Sequence, residues 1–414
     1  MTGLIWNRSW HLSDFLRVVR KHPGHVGLVV VYVVCFLLLN LTLWRPHQVL
    51  SPSRNIQIAE AQAWWQGRVD LSRPYQDVAQ YEGRLYNVFP PLFTLISAVI
   101  LPWSPGGVPH WLMVALLGLP VPALAYALFR RRTQSVLAAI VLTVAYVLGT
   151  SFYPSVRHSL GSGGVYWVNH VLSNIGLLVF LLEYFGRRRV WLMGLALIAG
   201  CWSRQLTALY FPAVLWVVWQ CGPGAARRWA VLQFSAAVVV AATVPMTLNA
   251  LKFGHPLQSG YRYIYVGRTD EWAQTAAVGL FSPRYIARNA HCMNLTLPVL
   301  DRHRGRLLVK PNAKGTAIWL TSPILLFLPV FCRSVFRDAR SRVLLLCSLV
   351  VMMAVLMYHA TGRAQVGYYR FALDYILVWL ALLAPFCDGP VARRWATVCV
   401  VWSVLYFQWL IRWW

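Results

Sequence analysis

Apolar runs of membrane length recur from Val26 to the C-terminus, separated by short basic or turn-rich stretches, and this pattern predicts an all-α, polytopic membrane protein. A run of about 20 apolar residues matches a hydrocarbon core about 30 Å thick. The runs fall at 26–44, 110–129, 134–152, 166–186, 190–201, 206–219, 229–250, 316–332, 343–358, 371–387 and 395–412. They predict about eleven transmembrane helices, two of them short, in one membrane domain over 26–414. Residues 1–25 carry Trp6, Trp10, Phe15 and Leu16 among Arg8, Arg17, Arg20 and Lys21 and read as an amphipathic helix on the cytoplasmic surface. The 26–44 run is too long for a signal-peptide core and no small-residue cleavage site follows it, so it reads as an uncleaved first span.

Charge decides the orientation. The chain has 38 Lys and Arg against 12 Asp and Glu. In a soluble protein that excess would point to nucleic acid, but here the cations cluster between apolar runs, where they act as a topology signal. With a cytoplasmic N-terminus, Arg130–Arg132, Arg187–Arg189, Arg227, Arg228, Arg333–Arg342, Arg393 and Arg394 all fall inside. This requires residues 90–103, a proline-flanked apolar stretch, to lie along the interface rather than cross. Two long loops, 45–109 and 251–315, then face outward. The eight cysteines show no paired spacing, which argues against a disulfide framework and a zinc site. With no eukaryotic sorting signal, the reading is a bacterial inner membrane.

The chemistry is expected in the two outward loops. Glu60, Asp70, Asp77 and Glu82 place a third of the acids in the first, interleaved with Arg54, Arg68, Arg73 and Arg84; surface ion pairing and a catalytic base are both open readings. Residues 59–66 read as a helix ended by Gly67, and 81–91 as a glycine-centred turn followed by aromatics and a double proline. Trp64, Trp65, Tyr81, Tyr86 and Phe89 suit either the membrane interface or sugar stacking. The second segment carries Lys252, Arg262, Arg268, Arg284, Arg288, Arg302, Arg304, Arg306, Lys310 and Lys314 against three acids, a face for a phosphate-linked lipid or for anionic headgroups. Arg204, Arg363 and Arg370 place charge near the membrane; Arg370 and Asp374, four apart, would pair on one helix face. His158 and His359 stand near helix ends, where interfacial hydrogen bonding is the ordinary role.

The loop from Ser51 to Pro102, with its YEGRLYNVFPP ending, resembles the first periplasmic loop of GT-C type glycosyltransferases, the polytopic class of protein mannosyltransferases and lipid A aminoarabinose transferase. The order Asn249, Phe253, Gly254, Pro256, Gly260, Tyr261 is similar to a stretch in bacterial members. The resemblance implies transfer of a sugar from a polyprenyl-phosphate donor to a lipid, glycan or protein acceptor, without a nucleotide sugar, and it leaves a divalent cation open as cofactor. It also implies an acid just after the first span, where this sequence has Asn55. Asn cannot serve as a general base, so the role falls to Asp77, Glu60 or Asp70, with Asp77 favoured by its place before the Gly-x-x-Tyr stretch. The expected donor-binding residues are Arg54, Tyr86, Arg204, Lys252, Arg262, Arg363 and Arg370. Two other readings stay open: a transporter or flippase of a phosphate-linked lipid, and an inactive GT-C-like scaffold. No internal repeat is visible, which counts against transport.

Overall fold

The structure, a computed structural model, describes residues 23–40, 48–161, 164–265, 273–303, 306–312, 315–360, 368–411 and 413. All but the last three residues of the expected amphipathic segment 1–25 lie outside this range. The described chain is mostly helical. Five of its helices are long and apolar enough to cross a membrane: His110–Arg132, Val165–Tyr184, Ala225–Phe253, Ala339–Leu356 and Pro390–Ile411. Val136–Leu148 and Phe152–Gly161, joined at a 50° bend, make a sixth if taken as one span.

Helices occupy the remaining expected runs but are shorter or broken. Pro23–Cys35, Val190–Cys201 and Ile376–Asp388 are short apolar stretches. The 206–219 run opens with a 3-10 turn, Gln205–Tyr210, before Phe211–Gln220. The 316–332 run divides into Ile318–Thr321, Pro323–Phe327 and Leu328–Arg337, at Pro323 and Pro329, each lacking the N–H that would continue the ladder.

Helix Ile376–Leu383 is buried at every position, as an apolar-all-round sequence requires, and marks the centre of the bundle. Around it, Val190–Cys201 packs between Val165–Tyr184 and Ala225–Phe253, while Pro23–Asn40 and Pro390–Ile411 both lean on Val136–Leu148. Ala225–Phe253 sits at the rim. Apart from its contact stripe, it leaves Trp229, Val239 and Leu251 exposed, a face suited to hydrocarbon rather than water.

The first long loop is a closed unit. A two-residue antiparallel ladder pairs Val49 with Pro109 and Leu50 with Val108, joining its two ends. Inside it, helix Ile56–Trp65 begins at Asn55, whose side-chain oxygen accepts from the amides of Gln57 (2.8 Å) and Ile58 (3.2 Å). That N-cap role is why an amide is sufficient at a position where the family resemblance implied an acid. The hairpin Ala79–Tyr81/Arg84–Tyr86 turns through Glu82 and Gly83, with φ of 48° and 74°, the left-handed pair of a tight two-residue hairpin turn. Helix Leu92–Ile100, nine residues, is too short at about 1.5 Å per residue to cross, and it leaves Val99 and Trp103 exposed. This short helix falls within the apolar stretch 90–103.

The second long segment starts where Ala225–Phe253 ends. Gly260, at φ 76°, lets the chain fold back over Phe253; a Cβ there would lie 2.2 Å from the Phe253 ring. Asn249 fixes the bend by donating to the Pro256 carbonyl at 3.0 Å. Both long segments therefore meet at one end of the bundle, where Phe253 packs against Tyr81 and Tyr86.

Candidate functional site

At that end lies a cavity of about 1000 Å³. Its walls come from the first loop (Tyr75–Val78, Phe89, Pro90), the start of Val165–Tyr184, the break at 203–209, the second segment, residues 354–360, and Arg370 and Phe371. Asp77, Arg204 and Arg370 all line it.

Asp77 holds φ 56°, a left-handed conformation that Asp tolerates better than most residues, and this turns the chain ahead of the hairpin. The Tyr166 hydroxyl, from the first turn of Val165–Tyr184, donates to its Oδ2. On the ring of the same tyrosine lies the Arg370 guanidinium, 5.2 Å from the centroid, and Arg370 also lies 5.6 Å from Trp167 and 5.4 Å from Phe371. One aromatic side chain thus touches both the carboxylate and the cation.

Arg204 caps the 3-10 turn Gln205–Tyr210, where the break after Val190–Cys201 brings a charged side chain to the cavity. Its Nε donates to Oδ1 of Asp374 at 3.1 Å and its Nη2 to Oδ2, a bidentate pair. His170 Nδ1 lies 3.5 Å from the same carboxylate. The expected Arg370–Asp374 pair is therefore corrected: Asp374 pairs with Arg204. Residues 370–374 form a 3-10 turn, and with three residues per turn positions four apart no longer share a face.

The cavity also holds Tyr261 and His359. Burial pushes the Tyr261 hydroxyl above its ordinary pKa, so it remains a proton donor. Burial, with Arg288 adding to it, lowers His359 to about 4, and the neutral ring meets the Tyr265 hydroxyl at 3.1 Å.

The other candidates sit elsewhere. Glu60 is buried within the first loop, accepting from Asn87 (2.6 Å) and Thr94 (2.7 Å) and pairing with Lys252. Lys252, also buried, donates in addition to the Asn87 carbonyl at 2.8 Å, so both charges are consumed in one internal network. Asp70 pairs at the surface with Arg68, 3.5 Å away. Tyr86 is buried against Phe253, and Arg54 is exposed. Arg262 lies on Tyr263 and donates to its hydroxyl at 2.8 Å. Arg363 lies outside the described residues. Among the described residues, the lysines and arginines that line the cavity are Arg204 and Arg370, both at 3-10 turns between helices. Tyr166 was not among the sequence candidates: an aromatic at the start of a span reads as an interface anchor, and nothing local to it signals a partner 89 residues away. Among the described residues, no group of three or more His, Cys, Asp or Glu side chains could hold a metal ion.

Comparison with solved structures places this bundle. The archaeal oligosaccharyltransferase AglB from Archaeoglobus fulgidus, in complex with an inhibitory peptide and a dolichol-phosphate, matches with a TM-score of 0.51 at 13% identity, over 95% of this chain and 56% of that one. Its apo form gives 0.50 at 13% identity, over 94% and 56%. ArnT from Cupriavidus metallidurans in the apo state gives 0.48 at 15% identity, over 92% and 62%. The chain spans little more than half the length of the oligosaccharyltransferase. No protein-family model matches the sequence, and a search of curated proteins found no match. AglB is a GT-C glycosyltransferase, and this chain has the GT-C fold.

Proposed function

We propose that the chain is a membrane glycosyltransferase that moves a sugar from a polyprenyl-phosphate donor to an acceptor hydroxyl in the cavity lined by Asp77, Arg204 and Arg370. The observation that carries this reading is the Tyr166 bridge, whose hydroxyl holds a carboxylate and whose ring meets a buried guanidinium, all three lining a largely apolar space. Arg204 and Arg370 bind the donor phosphate, and the apolar wall accepts the start of the polyprenyl chain. The AglB structure that shares the fold holds a dolichol-phosphate, a lipid of that class.

The acceptor hydroxyl gives its proton to the Asp77 carboxylate as its oxygen bonds to the anomeric carbon. The bond from that carbon to the phosphate oxygen breaks, and its electron pair leaves with the polyprenyl phosphate. Arg204 and Arg370 offset the charge that develops there. A single displacement of this kind inverts the anomeric centre. Tyr166 orients Asp77. Among the described residues the lining offers one carboxylate, that of Asp77, and no step is routed through a divalent cation.

The test is Asp77→Asn, a substitution that tolerates the same backbone conformation. Purified protein in lipid vesicles is offered polyprenyl-phosphate sugars, and transfer is expected to fall by about 100-fold or more, with donor binding retained. Lipid translocation that survives this substitution, with no transfer by the parent protein, would replace the reading with that of a flippase.

A further inference from the structure

A second cavity of about 410 Å³ opens on the first loop, and Tyr75 lines both it and the larger one. The two cavities differ in chemistry. The larger is walled mainly by aromatic and aliphatic side chains. The smaller presents Ser53, Gln62, Gln66, Arg68, Arg73 and the Tyr75 ring. Helix geometry explains the lining, because Ala59, Gln62, Ala63 and Gln66 fall at i, i+3, i+4 and i+7 and form one stripe. The alanines leave room, and the glutamines supply amides to it. The opposite stripe, Gln57, Glu60 and Ala61, is buried in the protein.

The shared wall is rigid. The Tyr75 hydroxyl donates to the Pro52 carbonyl at 2.8 Å and accepts from Arg73 Nε at 2.7 Å, with the Arg73 guanidinium 4.9 Å from the ring centroid. Two residues further on stands Asp77.

We propose that the smaller cavity binds the sugar units of a glycan acceptor, and that the segment Arg73–Asp77 brings one of its hydroxyls to the carboxylate. This rests on the transferase reading of the larger cavity. Hydroxyl, amide and guanidinium groups around a tyrosine face match the polar edges and C–H faces of a pyranose. A lipid tail gains little here, since the aliphatic lining is limited to Pro52, Leu71 and the two alanines. A bare phosphate gains less, since Asp70 offsets Arg68 and the Tyr75 hydroxyl and ring hold Arg73.

The probes are maltotriose and trigalacturonic acid, followed by saturation-transfer NMR on the full chain in nanodiscs, with polyprenyl phosphate binding measured in parallel. Gln62→Trp, at an exposed helix position, fills the cavity; Gln66→Leu removes an amide without bulk. The expected result is that at least one trisaccharide binds the parent protein, that Gln62→Trp weakens it by about 10-fold or more, and that Gln66→Leu weakens it less. Polyprenyl phosphate binding should be unchanged in both variants. Absence of trisaccharide binding to the parent protein, or binding indifferent to Gln62→Trp, overturns the proposal. Loss of polyprenyl phosphate binding by the parent, with glycan binding intact, would sink the transferase reading alone and leave the glycan site standing.

Discussion

Arg204 and Asp374, 170 residues apart in sequence, meet as a bidentate ion pair beneath the cavity, with side chains 23% and 3% exposed. The pair engages Nε and Nη2 of Arg204, a residue that lines the cavity. Asp374→Ala strands a mostly buried arginine, so unfolding in detergent should show a loss on the order of 3 kcal/mol. Replacing both partners with apolar residues should recover much of that stability while still abolishing polyprenyl phosphate binding. Equal stability of the single and double variants would show that the pair does not act as a unit.

Arg370 should separate binding from chemistry in the opposite sense to Asp77. Arg370→Gln removes the cation on the Tyr166 ring but leaves the carboxylate in place. The expected outcome is donor binding weakened by about 10-fold or more, read as a rise in KM in transfer assays. A variant with unchanged KM and reduced kcat would move Arg370 from ground-state phosphate binding to the transition state alone.

Much of this architecture is legible in the sequence, and the failures have physical causes. The runs, the short apolar helix Leu92–Ile100 and the turn at Glu82–Gly83 follow from local hydrophobicity and glycine chemistry. Span count does not, because prolines and 3-10 turns divide apolar runs without changing their composition. Asp77, favoured by resemblance for its place before the Gly-x-x-Tyr stretch, is one of the residues lining the cavity. Glu60 carries the same chemical group, yet Lys252, Asn87 and Thr94 enclose it. No local pattern distinguishes an acid that will be enclosed by a lysine 192 residues away from one that will face a cavity.

Acid should destabilise the protein through His359. Its pKa is lowered to about 4 by burial and Arg288, so the unfolded chain, at the ordinary histidine value of about 6.5, binds the proton more readily. The stability supplied by the neutral ring is therefore present above about pH 6.5 and lost as pH falls toward 4, with a limit on the order of 3 kcal/mol. Melting temperatures measured across that window should drop more steeply for the parent protein than for His359→Gln. Parallel curves would remove His359 from the account.

Gly260→Ala tests the fold-back that presents Tyr261. The added methyl meets the Phe253 ring in a backbone conformation that L residues rarely hold, so a destabilisation of about 1–3 kcal/mol is expected. Transfer should fall further than stability alone explains, because Tyr261 lines the cavity. Unchanged melting and activity would show that Phe253 yields at no cost.

The rim helix Ala225–Phe253 has 29 residues, and its apolar run, 229–250, is about 33 Å long, close to the thickness of a hydrocarbon core. Hydrophobic mismatch is relieved by tilt, and a tilting helix carries its ends sideways. One of those ends is Lys252, held by Glu60 inside the loop that bears Asp77. A bilayer thin enough to tilt this helix would therefore shift Lys252, and with it Glu60 and the first loop.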